Sequence, residues 1–161
     1  MYYTEFDTPL CPVILVGDEE GLSRLHMVLG DDKKGLELTQ GLKRNDALFQ
    51  DAKQQILEYI SGERRIFELK LNPKGTDFQK KVWQALCAIP YGETRSYKEI
   101  AIMAGNDKAS RAVGMANNKN PIPLIIPCHR VIGSSGQLTG YAFGLEMKER
   151  VLEIERRNVK K

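Results

Sequence analysis

"IPLIIPCHRVIG", residues Ile122 to Gly133, sets a cysteine, a histidine and an arginine side by side among prolines and β-branched residues. Three readings of that pair compete. A zinc site needs about four ligands, usually in short paired spacings. His26 and His129 are the only histidines, and Cys11 and Cys87 have no ligand near them in sequence, so a metal site is a minor possibility. Burial in a core is the second reading, because cysteine is among the residue types most often buried. It suits Cys11 and Cys87, and His26 is most simply structural. It suits Cys128 less, because His129 and Arg130 follow directly. Those cations would favour the thiolate and draw its pKa from about 8.5 toward neutrality. The third reading is nucleophilic catalysis. Neighbouring side chains of an extended segment point to opposite faces, so a water would join Cys128 to His129 unless the chain turns sharply. An acid behind the histidine would orient it, and the last helix offers Glu149, Glu153 and Glu155.

Upstream of this stretch the chain is mainly helical from Pro73 onward. Thr76-x-x-Gln79 is a capping box opening "DFQKKVWQALCAI", with Phe78, Val82, Leu86 and Ile89 as its apolar stripe. Ser96-x-x-Glu99 is a second capping box, opening "YKEIAIMA", and Gly105 stops that helix. Asn106 or Asp107 then caps a third helix, "KASRAVGMANN". Two helices joined at a glycine make a helix-turn-helix candidate. The second carries small residues, Ala109, Ser110, Ala112, Gly114 and Ala116, around one cation, Arg111. Small residues let a helix backbone approach a partner closely. Downstream, "LEMKERVLEIERRN" is amphipathic through Leu145, Val151, Leu152 and Ile154.

The chain changes character near "LNPKGTDF", Leu71 to Phe78. Before it, "MYYTEF", "CPVILVG" and "GLSRLHMVL" read as strands, with a hairpin turn at "GDEEG". "NDALFQDAKQQILEYISG" reads as one helix with Leu48, Ala52, Ile56, Tyr59 and Ile60 on one face, and "RIFELKL" as one more strand. The fold class is α+β (α/β), in two domains, residues 1–72 and 73–161. Three scattered cysteines and a net charge of +3 argue for a reducing compartment and decide little about partners. No apolar run reaches the roughly 20 residues a membrane span needs, and the N-terminus lacks a signal-peptide layout. The expected location is the cytoplasm.

"IPCHRVIG" resembles the active-site motif of the O6-alkylguanine-DNA alkyltransferases, the methylated-DNA–protein-cysteine methyltransferase family. "GETRSYKEIA", "NDKASRAVGMANNKNPIPLIIPCHRVIGSSGQLTGYA" and "GLEMKERVLEIE" extend the resemblance in order and spacing, covering about Pro73 to Arg157. The N-terminal part matches in general layout, a small ribonuclease-H-like α/β domain. The resemblance implies single-turnover transfer of an alkyl group from O6-alkylguanine in DNA, with O4-alkylthymine as a further substrate, to Cys128. The partner would be double-stranded DNA, bound as a monomer through the minor groove with the damaged base flipped out. His129 would act through water as base, and Glu155 would orient it. Tyr97 would press the target phosphate and donate to the guanine ring. Arg111 would fill the gap left by the flipped base, on a helix contacting DNA through Ala109, Ser110 and Gly114. Asn120 would brace the turn before the active-site strand. Tyr141, Val131, Ala142, Phe143 and Met115 would line the guanine pocket. No metal or organic cofactor is implied. Phe143 stands where many relatives have glycine, which implies a narrower pocket. Two other readings stay in view: a non-catalytic sensor of alkylated DNA, which would lack the cysteine, and a DNA-binding regulator using the helix-turn-helix alone.

Overall fold

Three strands at the head of the chain fold back on one another because apolar runs alternate with turn residues. β1 (Tyr2–Phe6), β2 (Val13–Asp18) and β3 (Gly21–Met27) form an antiparallel meander. Asp18 closes the hairpin by accepting the Glu20 N–H at 2.9 Å. β2 is buried along nearly its whole length, as a central strand covered on both faces would be. The computed structural model describes residues 1–30 and 33–160, which cluster into two compact units, Met1–Lys74 and Gly75–Lys161.

In the first unit the sheet order is β3-β2-β1-β4, where β4 (Lys43–Arg44) runs parallel to β1. Neither β4 nor the short helix α1 (Lys34–Thr39) is announced by the sequence pattern. The long helix begins as a 3₁₀ turn at Ala47–Phe49 and continues as α2 (Gln50–Ser61), ending at Gly62 with φ +86°. Ala52, Ile56, Tyr59 and Ile60 are buried as expected, but Leu48 is half-exposed and Phe49 takes the core position. The tighter 3₁₀ turn rotates the face by one residue. The strand expected over Arg65–Leu71 does not form; only Leu71 bridges to Leu22. Gln55 on α2 has taken the place of a ladder partner. Its amide accepts the Glu68 N–H at 2.8 Å and donates to the Glu68 carbonyl at 3.2 Å.

In the second unit both capping boxes are present, at Thr76/Gln79 and Ser96/Glu99, opening α3 (Asp77–Cys87) and α4 (Tyr97–Met103). Each Ser or Thr cap is worth about 1 kcal/mol over alanine. Gly105, at φ +92°, ends α4. The Asn106 N–H reaches back to the Ala101 carbonyl and the Gly105 N–H to that of Ile102, at 2.9 and 3.0 Å. The third helix starts later than the sequence suggests. Asn106 caps only a turn, accepting the Lys108 N–H at 3.1 Å, and α5 runs Ser110–Asn118 with no side-chain cap. α4, that turn and α5 make the helix-turn-helix. Trp83 on α3 locks it from below, donating its ring N–H to the Ala116 carbonyl at 2.9 Å. Cys87, expected in the core, is exposed, whereas Cys11 is buried; at the end of α3 the apolar stripe is carried by Leu86 and Ile89 instead. Leu145 is 49% exposed and Ile154 half-buried, so the inner face of α6 (Leu145–Val159) differs from the expected one: Met147, Lys148, Val151, Leu152, Glu155 and Asn158. No helix among the described residues is long and apolar enough to cross a membrane.

Candidate active site

Asn120, just past α5, makes the sharp turn that presents the cysteine. Its amide donates to the Ile126 carbonyl at 2.8 Å and accepts the Ile122 N–H at 2.9 Å. Between them Leu124 is held at φ +72°, buried. That left-handed conformation costs a non-glycine residue about 1–2 kcal/mol, which the Asn120 brace and apolar burial offset. The chain leaves this loop as a single 3₁₀ turn, Cys128–Arg130. The extended active-site segment expected from sequence is therefore corrected: the strand begins only at β6 (Val131–Ile132). β6 pairs in parallel with β5 (Arg95–Ser96). That short ladder sets the first residue of α4, Tyr97, next to the strand leaving the Cys-His-Arg turn.

Cys128, His129 and Arg130 are all buried. Of the three candidate acids on α6, the structure brings Glu155 to the histidine. Glu149 and Glu153 sit in surface ion pairs with Arg156 and Arg157. The Glu155 Oε2 lies 2.6 Å from His129 Nε2. Arg130 grips the same carboxylate with Nε and Nη2 at 2.9 Å each, and its Nη1 donates to the Ile89 carbonyl at 2.7 Å. The Gly92 N–H donates to the same carboxylate at 3.1 Å. Gly92 has φ +80°, and a Cβ there would collide with Val159, so the turn needs glycine.

These contacts fix the protonation states. Burial alone would raise the Glu155 pKa, but hydrogen bonds and charge from His129 and Arg130 outweigh it and hold the carboxyl well below the usual range. Burial, the largest influence on His129, pushes its pKa down against the pull of Glu155. A neutral imidazole beside a carboxylate must donate from Nε2, which leaves the Nδ1 lone pair as the basic nitrogen. Cys128 departs from expectation. Burial pushes its thiol up to about 11, opposed by a hydrogen bond from Asn120 and the charge of Lys148. The cations expected to release a thiolate are outweighed, because His129 is neutral and Arg130 is spent on Glu155. At pH 7 the resting site therefore holds the thiol in its protonated form.

Lys148 is the residue the sequence reading missed. It is fully buried, with Nζ at 2.6 Å from the carbonyls of both Val131 and Thr139. Burial pushes its pKa down to about 8, with Cys128 pulling the other way. The signal was present: Lys148 shares one helical face with Val151, Leu152 and Glu155, where a solvated lysine would not lie.

The remaining predicted residues divide. Tyr97 packs beside Gly114, where a Cβ would sit 3.8 Å from its ring, and its hydroxyl meets Thr139. Val131 and Tyr141 are buried, Ala142 is exposed, and Phe143 stands edge-on to Tyr141 at 6.2 Å between ring centres. Met115 is 65% exposed on α5. Ala109 and Ser110 are half-buried at the start of α5, and Arg111 is exposed beside them. Among the described residues no His, Cys, Asp and Glu side chains cluster as a metal site would require.

A chain with this buried His129–Glu155 pair beside Cys128 can now be set against known proteins. Residues 77–157 match the family model described as 6-O-methylguanine DNA methyltransferase, DNA binding domain, and residues 1–73 match that of its ribonuclease-like domain. The chain belongs to the methylated-DNA–protein-cysteine methyltransferase family. A member from Methanosarcina barkeri is 53% identical over 99% of this chain and 100% of its own length. The constitutive Bacillus subtilis methyltransferase is 48% identical over 96% of this chain and 95% of its own. The crystal structure of Mycobacterium tuberculosis OGT in complex with DNA superposes with a TM-score of 0.89 at 43% identity, covering 98% of this chain and 94% of that one. The α+β architecture, with a ribonuclease-like first part and a helix-turn-helix in the second, is that of the methyltransferase family.

Proposed function

We propose that this protein repairs alkylated DNA by direct reversal, moving the alkyl group of O6-alkylguanine onto Cys128 in a reaction each molecule performs once. The observation that carries this reading is a buried thiol beside a neutral histidine whose tautomer is set by an ionised Glu155, itself held by Arg130 and Gly92. His129 Nδ1, through a water, takes the thiol proton as the lesion arrives. The sulfur then attacks the alkyl carbon in line. The S–C bond forms, the O6–C bond breaks, and its electron pair passes to the purine, which takes up a proton to become guanine. One proton leaves the thiol and one enters the base, so the reaction balances without a cofactor. A thioether does not hydrolyse under mild conditions, and the protein is spent.

The alkyl carbon is inaccessible inside a duplex, so the base must be extruded. The exposed Arg111, on a helix otherwise lined with small residues, is placed in this reading as the side chain that fills the vacated stack from the minor groove. Val131, Tyr141, Ala142 and Phe143 receive the base, and Tyr97 supports its developing negative charge by a hydrogen bond. Residues 73–161 hold this machinery, the protein acts as a monomer, and chromosomal DNA in the cytoplasm is its place of action.

Intact-protein and peptide mass spectrometry after mixing with duplex DNA carrying one O6-methylguanine tests the proposal. The expected result is a gain of one methylene unit on the Cys128 peptide, saturating at one per chain and absent in Cys128→Ala. Tight lesion-selective binding with no gain would make the protein a sensor instead.

A further inference from the structure

Tyr97 and Thr139 hold each other twice. The phenol donates to the Thr139 carbonyl at 3.1 Å, and the Thr139 hydroxyl donates to the phenol oxygen at 3.0 Å. The same carbonyl accepts the buried Lys148 ammonium at 2.6 Å. Gly140, at φ +46°, brings the loop close enough for this: a Cβ there would lie 3.6 Å from the Tyr97 hydroxyl. The phenol proton therefore rests on an acceptor that a cation already engages, while the phenol oxygen receives a proton from Thr139. A hydrogen bond to an oxygen that is acquiring negative charge strengthens that group as a donor.

We propose that Thr139 is a positioning residue for Tyr97, its hydroxyl aligning the phenol and strengthening its hydrogen bond to the departing guanine. This rests on the reading of Tyr97 as the donor to the base. When the flipped base arrives, the phenol turns its proton from the Thr139 carbonyl to a ring nitrogen of the purine. The Thr139 hydroxyl stays on the phenol oxygen and stabilises the charge drawn onto it. The carbonyl does not go bare, because Lys148 still holds it.

The test is single-turnover transfer from O6-methylguanine duplex at saturating protein, so that affinity drops out. Thr139→Val and Thr139→Ser are each made with Tyr97 intact and with Tyr97→Phe. Thr139→Val should slow transfer about fivefold, the worth of one ordinary hydrogen bond. Thr139→Ser, which keeps the hydroxyl, should stay within about twofold. In the Tyr97→Phe background Thr139→Val should change nothing, since the pair acts as one unit. An equal fivefold loss in both backgrounds would make Thr139 a loop-packing residue and overturn the proposal. A slowed Tyr97→Phe with an indifferent Thr139→Val would overturn it while sparing the role of Tyr97. An unchanged Tyr97→Phe would remove both.

Discussion

The Cys128–Arg130 turn and the outer face of α5 are built on opposite principles. In the turn, ionisable groups are sealed from water, and each charge is answered: Glu155 by Arg130, His129 and Gly92, Lys148 by backbone carbonyls. On α5 the one cation, Arg111, stands in solvent among small side chains. A buried network stores its specificity in the folded state and resists change. An exposed helix commits nothing until a partner arrives. In the proposed reading, the first suits a thiol held protonated until its substrate arrives, and the second suits a surface that meets DNA.

The largest expected effect comes from breaking the sealed region. Glu155→Gln keeps the shape but removes the charge, leaving Arg130 buried without its counter-ion. Losing one partner of a buried pair costs about 3–5 kcal/mol, and losing a positioned base about 10²–10⁴ in rate. Glu153→Gln, two residues along the same helix but 43% exposed in its side chain, should stay within about 0.5 kcal/mol. Urea denaturation and single-turnover transfer on both variants measure this. Similar behaviour of the two would show that burial of Glu155 does not govern the site.

Part of this contrast was legible in the sequence and part was not. Capping boxes are local chemistry, so Thr76/Gln79 and Ser96/Glu99 marked α3 and α4 to the residue. Glu155 could be named from its place in the resemblance. What sequence spacing did not convey was competition. Arg130 was read as a cation acting on Cys128, but its fork is engaged by Glu155 and the Ile89 carbonyl. Burial is then left to raise the thiol pKa where it was expected to fall. Lys148 was passed over because its role depends on three backbone carbonyls, those of Val131, Thr139 and Gly140, which helical spacing alone does not bring to it. The "RIFELKL" strand failed for a similar reason: a side chain on α2, not a strand, meets Glu68.

The open region is tested by Arg111→Ala. If Arg111 acts by filling the stack, its loss should slow transfer from O6-methylguanine in duplex DNA by about tenfold or more, because re-stacking of the base is worth a few kcal/mol. Transfer from free O6-benzylguanine, which needs no flipping, should change less than twofold, and stability not at all. Equal losses on duplex and free base would take Arg111 out of that role and blur the line between the two regions.

The last effect probes the sealed region by titration. Burial pushes Cys128 up to about 11 and Lys148 down to about 8. Between pH 8 and the ordinary lysine value near 10.5, the unfolded chain binds more protons at Lys148 than the folded one, so this group makes stability rise with pH. Between the ordinary cysteine value near 9 and about 11, the folded chain keeps the thiol proton that the unfolded chain has lost, so Cys128 makes stability fall with pH. In the intact protein the two oppose each other above pH 9. Cys128→Ser removes the falling part, and with it the thiolate charge that pulls the Lys148 pKa up, which steepens the rise. The unfolding free energy of that variant minus the parent's should therefore grow from pH 9 to 11, by about 1–2 kcal/mol. Taking the difference cancels the titrations the two proteins share. Denaturant unfolding at pH 8, 9, 10 and 11 reads the difference. A flat line for Cys128→Ser would mean that the thiol meets water freely in the folded protein.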